Sequence, residues 1–154
     1  MRALAIDFGT KKLGLALSDP AGRMALPRGI LPRPAAGDEA LFAELCALIG
    51  REGVDTLVVG LPLALDGSET ETTRRAKKFG NRLAARAKLP VHFVDERLTS
   101  SEAKSRMREA GVRSKKAKAR LDAEAAALIL ESFLACGRSA ECAPDMPDLS
   151  GEDL

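Results

Sequence analysis

Two apolar runs near the start of the chain, Arg2-Ala-Leu-Ala-Ile-Asp-Phe8 and Leu13-Gly-Leu-Ala-Leu-Ser18, are separated only by Gly9-Thr10-Lys11-Lys12. So short a connection leaves no room for a crossover, and two strands joined by it form an antiparallel hairpin. A turn signal, Asp19-Pro20-Ala21-Gly22, then leads to a third strand near Arg23 to Leu31, where Pro27 points to an edge position or an irregular strand. Pro32, Pro34 and Gly37 break the chain before an amphipathic helix over Asp38 to Ile49, with Leu41, Leu45, Leu48 and Ile49 on one stripe. Val54 to Gly60 returns as a strand. Ser68 and Glu71 have the spacing of a capping box, and the helix after them carries Ala76, Phe79, Leu83 and Ala87 at helical intervals. Val91 to Asp95 is the last strand, followed by helices over Ser100 to Ala110 and from about Arg120 to Ala135. The order predicts an α/β fold: a mixed sheet of three antiparallel strands and then two parallel strands, with helices on both faces.

At 154 residues and 45% hydrophobic content the chain can bury one good core, and the expected organisation is a single domain over residues 1–137. Residues 138–154 read as a disordered acidic tail, with Gly, Ser, Pro and few apolar anchors. No run approaches the roughly 20 apolar residues of a membrane span, and Met1 leads directly into a strand instead of a cleavable signal. Cys46, Cys136 and Cys142 lack metal-ligand spacing and fit reduced thiols. These features predict a soluble, cytoplasmic protein with no membrane partner.

Charge is unevenly spread. Residues 74–138 hold 17 basic and 7 acidic groups, whereas residues 139–154 hold none and 5. Arg74, Arg75, Lys77, Lys78, Arg82, Arg86 and Lys88 form one cluster, which fits a solvated helix face as well as a polyanion site. The second cluster includes Lys104, Arg106, Arg108, Arg113, Lys115, Lys116, Lys118 and Arg120. It leads straight into Asp122 and favours nucleic acid more clearly.

Three carboxylates stand where apolar elements meet polar loops. Asp7 ends an apolar strand, where an acid is costly to bury unless it is paired or holds a metal, or accepts hydrogen bonds from the Gly9–Thr10 turn. In Val91-His-Phe-Val-Asp-Glu-Arg97, strand alternation puts Val91, Phe93 and Asp95 on one face and His92, Val94 and Glu96 on the other. Glu96 is the candidate ligand, and Asp95 the candidate for pairing or helix capping. Asp122 opens Leu121-Asp-Ala-Glu-Ala-Ala-Ala, where alanines let a helix lie close to the sheet. Its helix-start position also has a structural explanation in the macrodipole.

Asp7-Phe-Gly-Thr-Lys-Lys-Leu-Gly-Leu-Ala-Leu-Ser-Asp19, Gly60-Leu-Pro-Leu-Ala-Leu-Asp-Gly67, Val94-Asp-Glu-Arg-Leu-Thr-Ser100 and Asp122-Ala-Glu-Ala-Ala126 closely resemble the four signature segments of the YqgF family, also called RuvX. The family groups pre-16S rRNA nucleases with Holliday-junction-resolvase-like proteins. The resemblance spans residues 2–136 in order. It implies an RNase H-like fold, a divalent-metal nuclease, and trimming of the 5′ end of the small-subunit rRNA precursor. Asp7, Glu96 and Asp122 match the family's acidic positions. The sequence departs from the usual pattern in having Lys11-Lys12 for Lys-Arg and Ala64-Leu65 for Asn-Met, and Ala125 where related resolvases carry a fourth acid. Lysine keeps the charge but not the fork geometry of arginine.

The mechanism implied is two-metal hydrolysis, with Mg2+ or Mn2+ ions roughly 4 Å apart, Asp7 bridging both, and Glu96 and Asp122 each holding one. Thr10, Lys11, Lys12, Arg97, Lys104, Arg108, Arg113, Lys115, Lys116, Lys118 and Arg120 are the expected nucleic-acid contacts. With 3% aromatic residues and no Trp or Tyr, shape and backbone charge should dominate recognition over base stacking. Precursor rRNA, in association with the small subunit, and branched DNA are the alternative substrates, acted on by a monomer or a homodimer. Two rival classes are an actin-like ATPase, which needs a second lobe that this length does not supply, and a non-catalytic ribosome or nucleic-acid-binding factor.

Overall fold

The computed structural model describes residues 2–9, 11–34, 37–95 and 115–136, the last segment as backbone alone at 115–122 and 136. Its elements in chain order are β1 (Ala3–Phe8), β2 (Lys12–Ser18), β3 (Ala25–Pro32), α1 (Glu39–Glu52), β4 (Thr56–Leu61), α2 (Glu71–Ala87), β5 (Val91–Asp95) and α3 (Lys115–Cys136). The sheet runs β3-β2-β1-β4-β5, with β1 antiparallel to β2 and parallel to β4. β3 is antiparallel to β2 and β5 parallel to β4, which is the three-plus-two arrangement expected from the connection lengths.

The sequence of β1 explains how the layers differ. Leu4, Ile6 and Phe8 point to one face and join Leu13, Leu15, Leu57 and Val59 beneath α1 and α2. Ala3 and Ala5 point to the other, with Ala16, Val58 and Val94 beneath Ala126, Ala127, Ile129, Leu130 and Phe133 of α3. Large side chains thus fill the space under two helices, while alanines let the third lie close to the sheet. The His92 and Phe133 rings, 4.6 Å apart, place the later turns of α3 over the start of β5.

Several boundaries differ from the sequence-based expectations. The cap of α2 is Thr70, whose hydroxyl accepts from the Thr73 amide while the Thr73 hydroxyl accepts from the Thr70 amide. Ser68 instead donates through both its amide and its hydroxyl to Asp66 Oδ1, which closes the preceding turn. The helix expected from about Arg120 begins at Lys115, so Asp122 lies about two turns inside it. Asp38 is the N-cap residue of α1 but makes no side-chain cap bond, because its carboxylate is engaged by Arg33. β3 begins at Ala25 and carries a bulge, with Leu15 opposite Gly29 and Ala16 opposite Pro27. The expected helix at Ser100 to Ala110 and the tail from 138 lie outside the described residues.

Candidate active site

Asp7 is the last but one residue of β1, half-buried, on the face covered by α3. Its ladder partners are Gly14 on β2 and Gly60 on β4. Both cross-strand neighbours of this carboxylate therefore lack side chains, where valine or leucine would otherwise crowd it. A glycine inside a strand weakens the strand and commonly marks close approach by a ligand or another backbone. Gly60 in turn pairs with Val94, and Val94 belongs to the α3-facing cluster. The row Gly14, Asp7, Gly60, Val94 thus crosses four strands, with one acid and a glycine on each side of it.

The turn after Asp7 is held tightly. A Cβ on Gly9 would lie 2.4 Å from the Lys12 carbonyl oxygen, so only glycine fits there. Arg33 fastens the same turn from outside: Nη1 donates to the Gly9 carbonyl at 3.0 Å, and the Arg33 amide donates to the Lys11 carbonyl at 2.8 Å. Its Nη2 reaches both Asp38 oxygens at 3.1 Å, and the guanidinium lies 4.8 Å from the Phe8 ring centroid. Lys11 is exposed and Lys12 half-buried at this end of the sheet. The loop after β4 carries Leu65, 97% exposed.

The described residues bring together part of the predicted site. Asp7, Lys11 and Lys12 are together at one end of the sheet. Asp122, Lys115, Lys116, Lys118 and Arg120 are placed by backbone in the first turns of α3, with Ala126, one turn beyond Asp122, fully buried against the sheet. Thr10, Glu96, Arg97, Lys104, Arg108 and Arg113 lie outside the described residues. Among the described residues no three metal-binding side chains come together. Arg33 and the glycines flanking Asp7 were missed by sequence reasoning. The glycines had a signal, Gly14 within an apolar run and Gly60 at the end of one; Arg33, between two prolines, had none.

On the opposite face, much of the first basic cluster is paired. Arg86 donates to both Glu39 oxygens at 2.8 and 2.7 Å, and Lys77 pairs with Glu69. The Arg86 hydrogen bond holds the Glu39 carboxyl below its usual range, and Lys77 does the same for Glu69.

The family model for RuvX, described as a Holliday junction resolvase, matches residues 1–136. This chain belongs to the RuvX family. A relative from Maridesulfovibrio salexigens, named "Putative pre-16S rRNA nuclease", is 47% identical over 135 residues, covering 88% of this chain and 98% of the relative. A Dechloromonas aromatica protein of the same name is 47% identical over 130 residues, with 84% and 88% covered. Among solved structures, RuvC of Thermus thermophilus in complex with a Holliday junction substrate superposes with a TM-score of 0.59 at 16% identity, over 94% of this chain and 99% of that one. At that identity the likeness shows the fold, and the fold is RNase H-like. As a RuvX protein the chain is a member of a nuclease family whose chemistry is hydrolysis of phosphodiester bonds. No helix among the described residues is long and apolar enough to cross a membrane.

Proposed function

We propose that this RuvX protein is a divalent-metal nuclease that processes precursor rRNA, through one domain over residues 1–137 in which Asp7, Glu96 and Asp122 hold the metal. The observation that carries the reading is Asp7 on the central strand with glycine on each side. That arrangement gives a hard oxygen donor room for a cation, and its donor chemistry suits Mg2+ or Mn2+. The alternation read from the sequence groups Glu96 with His92 and Val94, and those two lie on the face of Asp7, which supports Glu96 as a second ligand. Asp122 is supported by its register one turn before Ala126, which is buried against the sheet.

The depth of Asp122 in α3 also weakens its structural explanation. The macrodipole acts on the first turn, and Asp122 is beyond it, while the first turn holds no acid and begins Lys115-Lys116. Lysines at a helix start work against the dipole, and a bound polyanion offsets that cost.

When bound, the metal would activate water and stabilise the leaving oxygen. The protein's own residues would orient and clamp. Asp7 fixes its carboxylate on a strand instead of a loop, Arg33 holds the Gly9 turn in place, and Lys11, Lys12 and the start of α3 draw the phosphate backbone in. The names of the relatives favour precursor rRNA, and the family description favours a four-way DNA junction. Incubating the full chain with a precursor rRNA fragment bearing its 5′ extension, and separately with a four-way junction, in Mg2+ or Mn2+ separates the two. Cleavage of the RNA at a discrete 5′ site is expected. Binding of either nucleic acid with no cleavage under any metal would make the protein a non-catalytic factor and end this reading.

A further inference from the structure

The sheet has a second feature at the same end as Asp7, on the other face. Phe8, the residue after Asp7, lines a cavity of about 330 Å³ together with residues of α1 and α2. Four cations, Arg33, Arg75, Lys78 and Arg82, face it with one carboxylate, Asp38. That carboxylate is already engaged through both oxygens by Arg33, which leaves the three α2 cations without a counter-charge inside the cavity.

Those three fall at i, i+3 and i+7, one stripe along α2. Lys78 is exposed and makes no ion pair with the described residues. Arg75 pairs with Glu71 at 3.0 Å and Arg82 with Glu39 at 3.8 Å, both at the solvent-exposed rim. Exposed pairs of this kind contribute little to stability and are readily exchanged for a phosphate. The aromatic floor excludes a base as the principal ligand: Phe8, Phe42 and Phe79 are only 6%, 1% and 3% exposed and pack on one another. What remains accessible is positive charge, and its chemistry is that of a phosphate clamp.

We infer that this cavity is a second binding site for the phosphates of a nucleic-acid strand, back to back with the Asp7 site across the end of the sheet. The inference rests on the nuclease reading only for the identity of the strand as substrate; the phosphate chemistry stands on the cavity itself. A strand leaving Asp7 rounds the end of β1 at the Gly9 turn and reaches the α2 stripe on the far side.

The test is fluorescence anisotropy of a labelled single-stranded RNA oligonucleotide with the full chain, in EDTA so that nothing is cleaved, over a salt series. Arg75→Ala combined with Lys78→Ala is expected to weaken binding about tenfold at low salt. It should also lower the slope of log affinity against log salt by roughly 1.4, or about 0.7 for each phosphate that is no longer neutralised. Lys78→Glu alone, at an exposed position where the fold is not at risk, should weaken binding more than Lys78→Ala. Arg51→Ala removes the same charge from the exposed last turn of α1 and should change neither affinity nor slope. Wild-type affinity and slope in both Arg75→Ala/Lys78→Ala and Lys78→Glu would overturn the proposal. Displacement of the oligonucleotide by a nucleoside monophosphate at matched ionic strength would assign the cavity to free nucleotides and overturn the strand as occupant; inorganic phosphate and the monophosphate are expected to leave it bound. Asp7→Asn keeps the readings apart. If that variant still hydrolyses RNA while Arg75→Ala/Lys78→Ala loses binding, the carboxylate site fails and the cavity stands.

Discussion

Asp7 lies directly opposite Gly60 across the parallel β1–β4 ladder, with Gly14 on its other side across the β1–β2 hairpin. A carboxylate at the end of a central strand is ordinarily hemmed in by its neighbours, and here both neighbours stop at Cα.

This spacing predicts that Gly60→Val will fold, since valine suits a strand, but will place a branched side chain against Asp7. Metal-dependent hydrolysis should fall by roughly a hundredfold, about 2.7 kcal/mol in transition-state stabilisation. Single-turnover cleavage, with circular dichroism to check the fold, decides it. Unchanged cleavage would mean that the gap beside Asp7 is not used.

Gly9→Ala should destabilise the protein by about 1–3 kcal/mol, because its Cβ meets a backbone carbonyl that cannot swing aside. Urea unfolding measures it. A neutral result would mean that the β1–β2 turn relaxes freely.

Arg33→Lys should not rescue Arg33→Ala. The arginine spans the Gly9 carbonyl, the Asp38 carboxylate and the Phe8 ring at once, and an ammonium reaches one of these. Both variants should lose about 1–2 kcal/mol in urea unfolding. Full stability of Arg33→Lys would reduce the clamp to a point charge.

The turn between β2 and β3 supplies a pH dependence. Asp19 Oδ1 accepts from the amides of Met24 and Arg23 at 2.9 and 2.6 Å, and these bonds, that of Met24 foremost, hold its carboxyl below the usual 3.8. A carboxyl depressed in the native state contributes stability above its unfolded pKa, and this is lost as pH falls through the lower native value. Asp19→Asn should therefore be less stable than wild type at neutral pH, and the gap should close below about pH 4. A gap that is constant with pH would show that the charge on Asp19 is not what the turn uses.

The sheet was legible because its signals are local and redundant. The short Gly9–Lys12 connection fixes the hairpin, and the alternation of Leu4, Ile6 and Phe8 with Ala3, Ala5 and Asp7 sorts β1 onto two faces before any packing is known. Helix starts were less legible, because a cap is chosen by which hydroxyl the loop brings into place. Ser68 satisfied the pattern yet was occupied by Asp66, and Thr70 with Thr73 took the role. The start of α3 escapes the pattern because its first turns are lysines and arginines with no apolar stripe. Asp7 was legible as an acid in an apolar strand, whereas the glycines opposite it depend on register across three strands. Arg33 and the α2 cavity assemble residues far apart in the chain, and no spacing rule links Phe8 to Lys78.

Mn2+ titration of the full chain by calorimetry, beside the Asp7→Asn variant, tests the central claim most directly. Wild type is expected to bind Mn2+ and to cleave RNA with it, and the variant, equally folded by circular dichroism, to lose roughly a hundredfold or more in each. Mn2+ binding and cleavage at wild-type levels in Asp7→Asn would contradict the assignment of Asp7 as a metal-holding residue of this nuclease.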